Sequence, residues 1–143
     1  MDKKIFLAAF VGAVVSFLLG WLIFGIALHG YYTENMKVYE GLVKKMPNLI
    51  GIFIAGFFWA FLLSYIFSKW AHINTFAAGF TAALFIGVIT CISYDLSFYS
   101  MMNLYRLRLI AVDVIASSLV SAVVGGTIAA ILGSGKSTTS TSV

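Results

Sequence analysis

A chain of 143 residues that is 62% hydrophobic and only 10% charged is far from the balance of a soluble globular domain, where about half the residues are apolar and a quarter charged. Its net charge of +4 rests on nine scattered Lys and Arg, with no basic stripe interleaved with aromatics, so a nucleic-acid partner is excluded. One proline and apolar runs longer than about 18 residues predict helices in a lipid bilayer, not the short alternating segments of a transmembrane barrel.

The first predicted span runs from Ile5 to Leu28. Lys3 and Lys4 before an apolar run imitate a signal peptide, but the run is too long for one and no small-x-small cleavage site ends it. Ala9, Ala13, Ser16 and Gly20 fall at helical spacing and let another backbone approach closely. Trp21, His29, Tyr31 and Tyr32 mark the exit, where amphipathic rings favour the headgroup level.

Between Thr33 and Met46, charged residues alternate with Met36, Tyr39, Leu42, Val43 and Met46 at spacings of three and four. That pattern predicts a short amphipathic helix on the membrane surface. Glu40 and Lys44 form an i,i+4 pair in the favourable order. Pro47 suits a first helical turn, so the second span is expected from there to about Ser68. This span is crowded with Phe53, Phe57, Phe58, Trp59, Phe61, Tyr65 and Phe67. The crowding favours a lipid-facing or space-filling helix over a stacking site for a flat cofactor. Lys69, Trp70 and His72 form a polar turn.

The third span, about Asn74–Met102, and the fourth, about Leu107–Leu132, carry mirror-image ladders of small residues. The first ladder is Gly79, Ala83, Gly87 and Cys91, leading to Asp95; the second is Asp113, Ser117, Ser121, Gly125 and Ala129. Folded as antiparallel helices about Leu104, the rungs pair as Asp95 with Asp113, Cys91 with Ser117, Gly87 with Ser121 and Ala83 with Gly125. Because a four-residue step drifts about 40° on a 3.6-residue helix, all five rungs cannot face one straight neighbour; the middle rungs are expected to make the close contact, with the helices crossing at a right-handed angle. Residues 133–143, rich in Ser, Thr and Gly, read as a disordered tail after a transmembrane domain of residues 1–132.

Asp95 and Asp113 are the chemically suggestive pair, since a carboxylate inside a span is costly and marks a functional candidate. Each lies about nine residues from the bend, or about 13 Å along the helix at 1.5 Å per residue, within reach of water. Helical side chains lean toward the N-terminus, so Asp113 leans toward the headgroups and Asp95 leans deeper. Burial and a like charge opposite would then place any retained proton on Asp95. Tyr94, Tyr99, Ser117 and Arg106 are the candidate hydrogen-bonding groups around them, together with Ser97, Asn103 and Arg108. The plain alternative is that the acids tie the hairpin together and fix its register.

Other motifs fail. Gly135, Lys136 and Ser137 imitate the end of a phosphate-binding loop, but Ala130 stands where its first glycine belongs and no strand precedes it. His29 and His72 belong to opposite membrane faces and share no metal or haem. The lone Cys91 allows no intrachain disulfide or cysteine metal centre, and no Ser/His/Asp or Cys/His set can be assembled. No cofactor is expected, and an enzyme is the least supported class. With four spans, Lys3, Lys4, Lys69 and Lys136 lie on one side and Lys37, Lys44, Lys45, Arg106 and Arg108 on the other. This near-balance leaves orientation open, dual insertion and an antiparallel homodimer included.

At Gly20, Trp21, Leu22, Ile23, Phe24 and Gly25 with Tyr31 and Tyr32, then Tyr94, Asp95, Leu96 and Ser97, then Val112 and Asp113, the chain resembles small uncharacterised bacterial four-span inner-membrane proteins. The resemblance implies four helices in a bacterial inner membrane, with Tyr94, Asp95 and Asp113 among the recurring positions, and implies no activity. Small multidrug transporters have a similar length and span count, but they carry an essential acid in the first span, where this chain has none. Glutathione-handling four-span enzymes need arginines within their helices, also missing here.

The sequence therefore predicts an all-α integral membrane four-helix bundle whose tightest contact joins spans three and four. It predicts a non-enzymatic multi-pass protein in the lipid bilayer, acting as an accessory subunit with a membrane-protein partner or as a homodimer. The alternative is a small proton- or ion-coupled transporter or channel built on Asp95 and Asp113.

Overall fold

The computed structural model describes residues 2–135. Helix α1 spans Lys3–Gly20 and continues as a wider π-helical stretch, Trp21–Ala27; a short α2 covers His29–Asn35. Helix α3, Leu49–Tyr65, also runs on into a π-helical stretch, Ile66–Trp70, and α4 (Phe76–Met101) and α5 (Leu107–Gly133) complete the chain. Counting the π-helical extensions, four helices of 25, 22, 26 and 27 residues are long and apolar enough to cross a bilayer. The fold is thus all-α with four membrane-length helices, and the tightest packing is between α4 and α5.

Two local expectations need correcting. The amphipathic helix expected over Thr33–Met46 is not formed. The helical turns lie earlier, at His29–Asn35, and beyond them Met36 pairs in a single antiparallel bridge with Tyr105. The Lys37 amide donates to the Leu104 carbonyl at 3.0 Å, so strand-like pairing with the opposite loop takes the backbone bonds a helix would have used. Pro47 does not occupy the first helical turn either. Asn48 caps α3, its side chain accepting from the Gly51 amide at 3.1 Å, so the helix starts at Leu49 and leaves the proline outside. Helix α4 begins in the same way at Phe76, behind a Thr75 cap.

Helix α5 is the hub. Some 56% of its most apolar stretch is buried, against 28% for α1 and 17% for each of α3 and α4. Its small residues explain this, because Ser118, Ser121, Gly125, Gly126 and Ala129 let neighbouring backbones approach on several sides. Helix α1 packs on both α3 and α5, whereas α4 rests on α5 and makes no extensive contact with α1 or α3. The helices therefore form two pairs, α1–α3 and α4–α5, joined along α5. A cleft remains between α3 and α4.

The α4–α5 seam follows the predicted register along its whole length. A methyl added to Gly79 would strike Ala129, one on Gly125 would strike Ala83, and one on Gly87 would lie 2.9 Å from Ser121 Cβ. Ser121 Oγ donates across the seam to the Ala83 carbonyl at 3.1 Å. The close contact is not confined to the middle rungs: it reaches the end rung, Gly79–Ala129. A seam of four-residue steps stays in contact when the helices wrap right-handedly about each other, which cancels the drift calculated for straight helices.

The ends are closed by polar contacts. Lys4 Nζ donates to the Ser134 carbonyl just past the C-terminus of α5, where a cation suits the helix dipole, and Lys69 pairs with Asp2 at 2.9 Å. Lys69 bonded to it holds the Asp2 carboxyl below the usual carboxylate range. The N-terminus, the 71–75 turn and the end of α5 thus share one face. The tail expected from residue 133 keeps Gly133 in α5 and turns at Ser134 and Gly135. Residues 136–143, with Lys136 and Ser137, lie outside the described residues.

Candidate functional site

The opposite face carries the polar cluster. Helix α2 leaves α1 through the π-helical stretch, in which the Leu28 amide reaches back to the Ile23 carbonyl at 2.7 Å, and then lies over the α4–α5 bend. Three contacts hold it and its loop there. Tyr31 Oη donates to the Arg108 carbonyl at 3.5 Å, Tyr39 Oη to the Asn103 carbonyl at 3.1 Å, and the Met36–Tyr105 bridge joins the backbones.

Under this cover Tyr32 Oη donates to Asp113 Oδ1. The Phe24 ring stands edge-on to the Tyr32 ring at 5.8 Å and fixes its plane. Asp95 lies across the same small hollow as Asp113. Two carboxylates are acceptors only, so the pair can hydrogen-bond to each other only when a proton lies between them. Asp95 Oδ2 is shielded from solvent and has no hydrogen-bond partner. Tyr32, Asp95, Tyr105, Leu109, Ile110 and Asp113 line a small, partly open hollow of about 50 Å³, large enough to admit water.

The phenols are affected by the acids they face. Burial, then the hydrogen bond to Asp113 and its charge, push the Tyr32 hydroxyl far above the ordinary tyrosine range, so it stays a donor. Burial and the two acids push Tyr105 up as well. No cation joins the cluster: among the described residues the one side-chain ion pair is Lys69–Asp2, on the other face.

The predicted neighbours of the acids lie elsewhere. Tyr94 and Tyr99 are 64% and 46% exposed: Tyr94 sits off the phase of the seam that carries Asp95, whereas Tyr99 continues that phase one turn beyond Asp95, at the loop end of α4. Arg106 is exposed at the start of α5 and, with Tyr99, lines a separate surface hollow between the loops. Ser117 sits one turn deeper than Asp113 and lines the same hollow as Cys91, as the ladder pairing requires. The sequence reading missed Tyr32 and Tyr105. The available signal was a pair of tyrosines at the exit of the first span, taken as an aromatic belt.

Chemically the cluster can accept, hold and release a proton, and it can fasten α2 to the hairpin. Among the described residues no group of His, Cys, Asp or Glu could hold a metal ion. The architecture is that of a small multi-pass membrane protein. Compared with known family models, curated proteins and solved structures, the chain matches none, so the resemblance to four-span bacterial families reduces to its four apolar spanning helices.

Proposed function

We propose that the chain is a non-enzymatic interaction subunit of a bacterial inner membrane, acting as a homo-oligomer or as the accessory partner of another membrane protein. In this reading the acids are a clasp. The observation that carries it is the engagement of the acid pair: Tyr32 donates to Asp113, and the hollow beside the two acids is small, about 50 Å³. An all-helical span set suits an inner membrane, since outer membranes hold barrels. The two histidines, His29 on α2 and His72 in the turn after Trp70, stand on opposite faces, which weighs against shared acid–base chemistry.

The test is to count copies in lipid nanodiscs by native mass spectrometry and to measure proton and cation flux in liposomes with an entrapped dye. More than one copy, or a stoichiometric partner, with flux no greater than in empty liposomes is expected. The transporter reading has one observation in its favour, the unpartnered Asp95 Oδ2. Flux that disappears in Asp95→Asn while the protein stays folded would overturn the subunit reading and establish the other.

A further inference from the structure

The α1–α3 pair is closed at one end and open at the other. Near the N-terminus Ser64 Oγ donates to the Ile5 carbonyl at 3.0 Å, and Gly12 lies so close to Ala60 and Ile128 that a methyl there would be 3.2 and 2.8 Å from them. Toward the α1–α2 corner the two helices diverge. Two hollows of about 370 Å³ each adjoin there, sharing Ser16, Gly20, Phe24, Ile52 and Gly56. One extends past Trp21 to Pro47; the other extends past Trp59 to Gly87 and Cys91 on the far side of the cleft. Each is the size of a small-ligand site, for which the range is about 300–1,000 Å³.

The walls select the occupant. The hydroxyls of Thr90 and Ser121 are already committed to the carbonyls of Ile86 and Ala83, at 2.7 and 3.1 Å. Apart from the Ser16 and Ser117 hydroxyls and the Cys91 thiol, the rest is methyls, rings and glycine backbone, a mostly apolar surface complementary to hydrocarbon. The hollows lie within the membrane-length segments of α1, α3, α4 and α5 and open sideways to the bilayer, which supplies acyl chains.

The mouth has a charge. Pro47 lines the outer hollow, and Lys44 and Lys45, both exposed, precede Met46 and Pro47 in the loop that also carries Lys37 and Glu40, while Glu34 stands on α2. Neither lysine has an ion-pair partner among the described residues. Basic residues at the headgroup level beside an interhelical cleft attract anionic lipid headgroups. We propose that the cleft binds one acyl chain of an anionic phospholipid, with its phosphate held by Lys44 and Lys45.

Tryptophan fluorescence tests this directly, because Trp21 and Trp59 line the hollows while Trp70 stands at the opposite end of α3. The Trp70→Phe protein is reconstituted in phosphatidylcholine vesicles containing increasing fractions of acyl-brominated phosphatidylglycerol or acyl-brominated phosphatidylcholine. Saturable quenching is expected at a several-fold lower fraction of the anionic lipid. Lys44→Gln with Lys45→Gln, both on the exposed loop, should remove that preference. Gly20→Leu should weaken saturable quenching by filling the hollow, since nothing lies within 4 Å of a Cβ there. Equal, non-saturating quenching by both lipids would overturn the proposal, as would a preference untouched by the lysine changes. Absence of quenching by either lipid would also overturn it, and would place a second protein chain in the cleft.

Discussion

A phenol bonded to a carboxylate at the membrane edge is the contact on which the polar cluster turns. Tyr32 supplies a donor to Asp113, and among the described residues no lysine or arginine pairs with that acid. Hydrogen bonds to charged groups are worth about 1.5–3 kcal/mol in water, and bonds within membranes average lower, so Tyr32→Phe should cost about 1–2 kcal/mol. Asp113→Asn keeps an acceptor oxygen and should cost less than Asp113→Leu. Reversible unfolding in lipid or mixed micelles checks both; equal losses for Asn and Leu would mean that the bond contributes nothing. The pH dependence follows from the raised phenols. Unfolded tyrosines ionise near about 10, whereas Tyr32 and Tyr105 in the fold ionise higher, for burial first and the acids second. Above the unfolded value the unfolded chain binds fewer protons than the fold, so this stabilisation is complete below about pH 10 and is lost as pH rises through the folded values. Alkaline titration by phenolate absorbance should show two lagging tyrosines, and one in Tyr32→Phe. The acid pair itself was legible from its mirrored positions, but Tyr32 was not, because it arrives from 81 residues away by the folding of α2 over the bend.

At the scale of the helices, the α4–α5 seam was the most legible feature of the sequence, because a four-residue spacing of small side chains states both the face and the register. The π-helical stretches at Trp21–Ala27 and Ile66–Trp70 had no comparable signal; they arise where α1 and α3 end at a corner and the last turns widen. The extended pairing of Met36 with Tyr105 was hidden for a similar reason, since a local helical pattern lost to a partner in a distant loop. The seam supports a paired test. At Gly125 a methyl would fall on the Ala83 methyl and lie 2.8 Å from the Gly79 carbonyl oxygen, a backbone atom that cannot swing away. Overpacking of a fitted contact costs about 1–3 kcal/mol, and Gly125→Ala belongs at the upper end. Gly20 has open space around its Cβ position, so Gly20→Ala should be neutral or stabilise by up to about 1 kcal/mol through helix propensity. A Gly125→Ala protein as stable as the wild type would mean that the two helices are not held at backbone contact.

For the whole molecule, the arrangement around α5 makes assembly hierarchical. Each helix is stable across the bilayer by itself, and association then follows from close packing of small residues. The α4–α5 hairpin has the tightest contact and closes locally, while the α1–α3 pair meets it mainly through α1 on α5. That junction rests on fit: a Cβ at Gly12 would lie 2.8 Å from Ile128 Cδ1 and 3.2 Å from Ala60 Cβ. The turn of residues 71–75 contributes little by comparison, holding His72 at a positive φ of 51° and bonding back to the end of the second span only through the Ala71 and Ile73 amides, to the Ile66 and Phe67 carbonyls. A chain divided within this turn and expressed as two fragments should therefore reassemble in the membrane, because the contacts that join the halves do not pass through it. Gly12→Leu in the first fragment should reduce that association at least tenfold, since the larger side chain must displace Ile128 and Ala60 together. Energy transfer between fluorophores on the two fragments reads the outcome. Retained transfer in Gly12→Leu would move the junction away from α1, and failure of the unaltered fragments to associate would mean that the turn, not the packing on α5, holds the halves together.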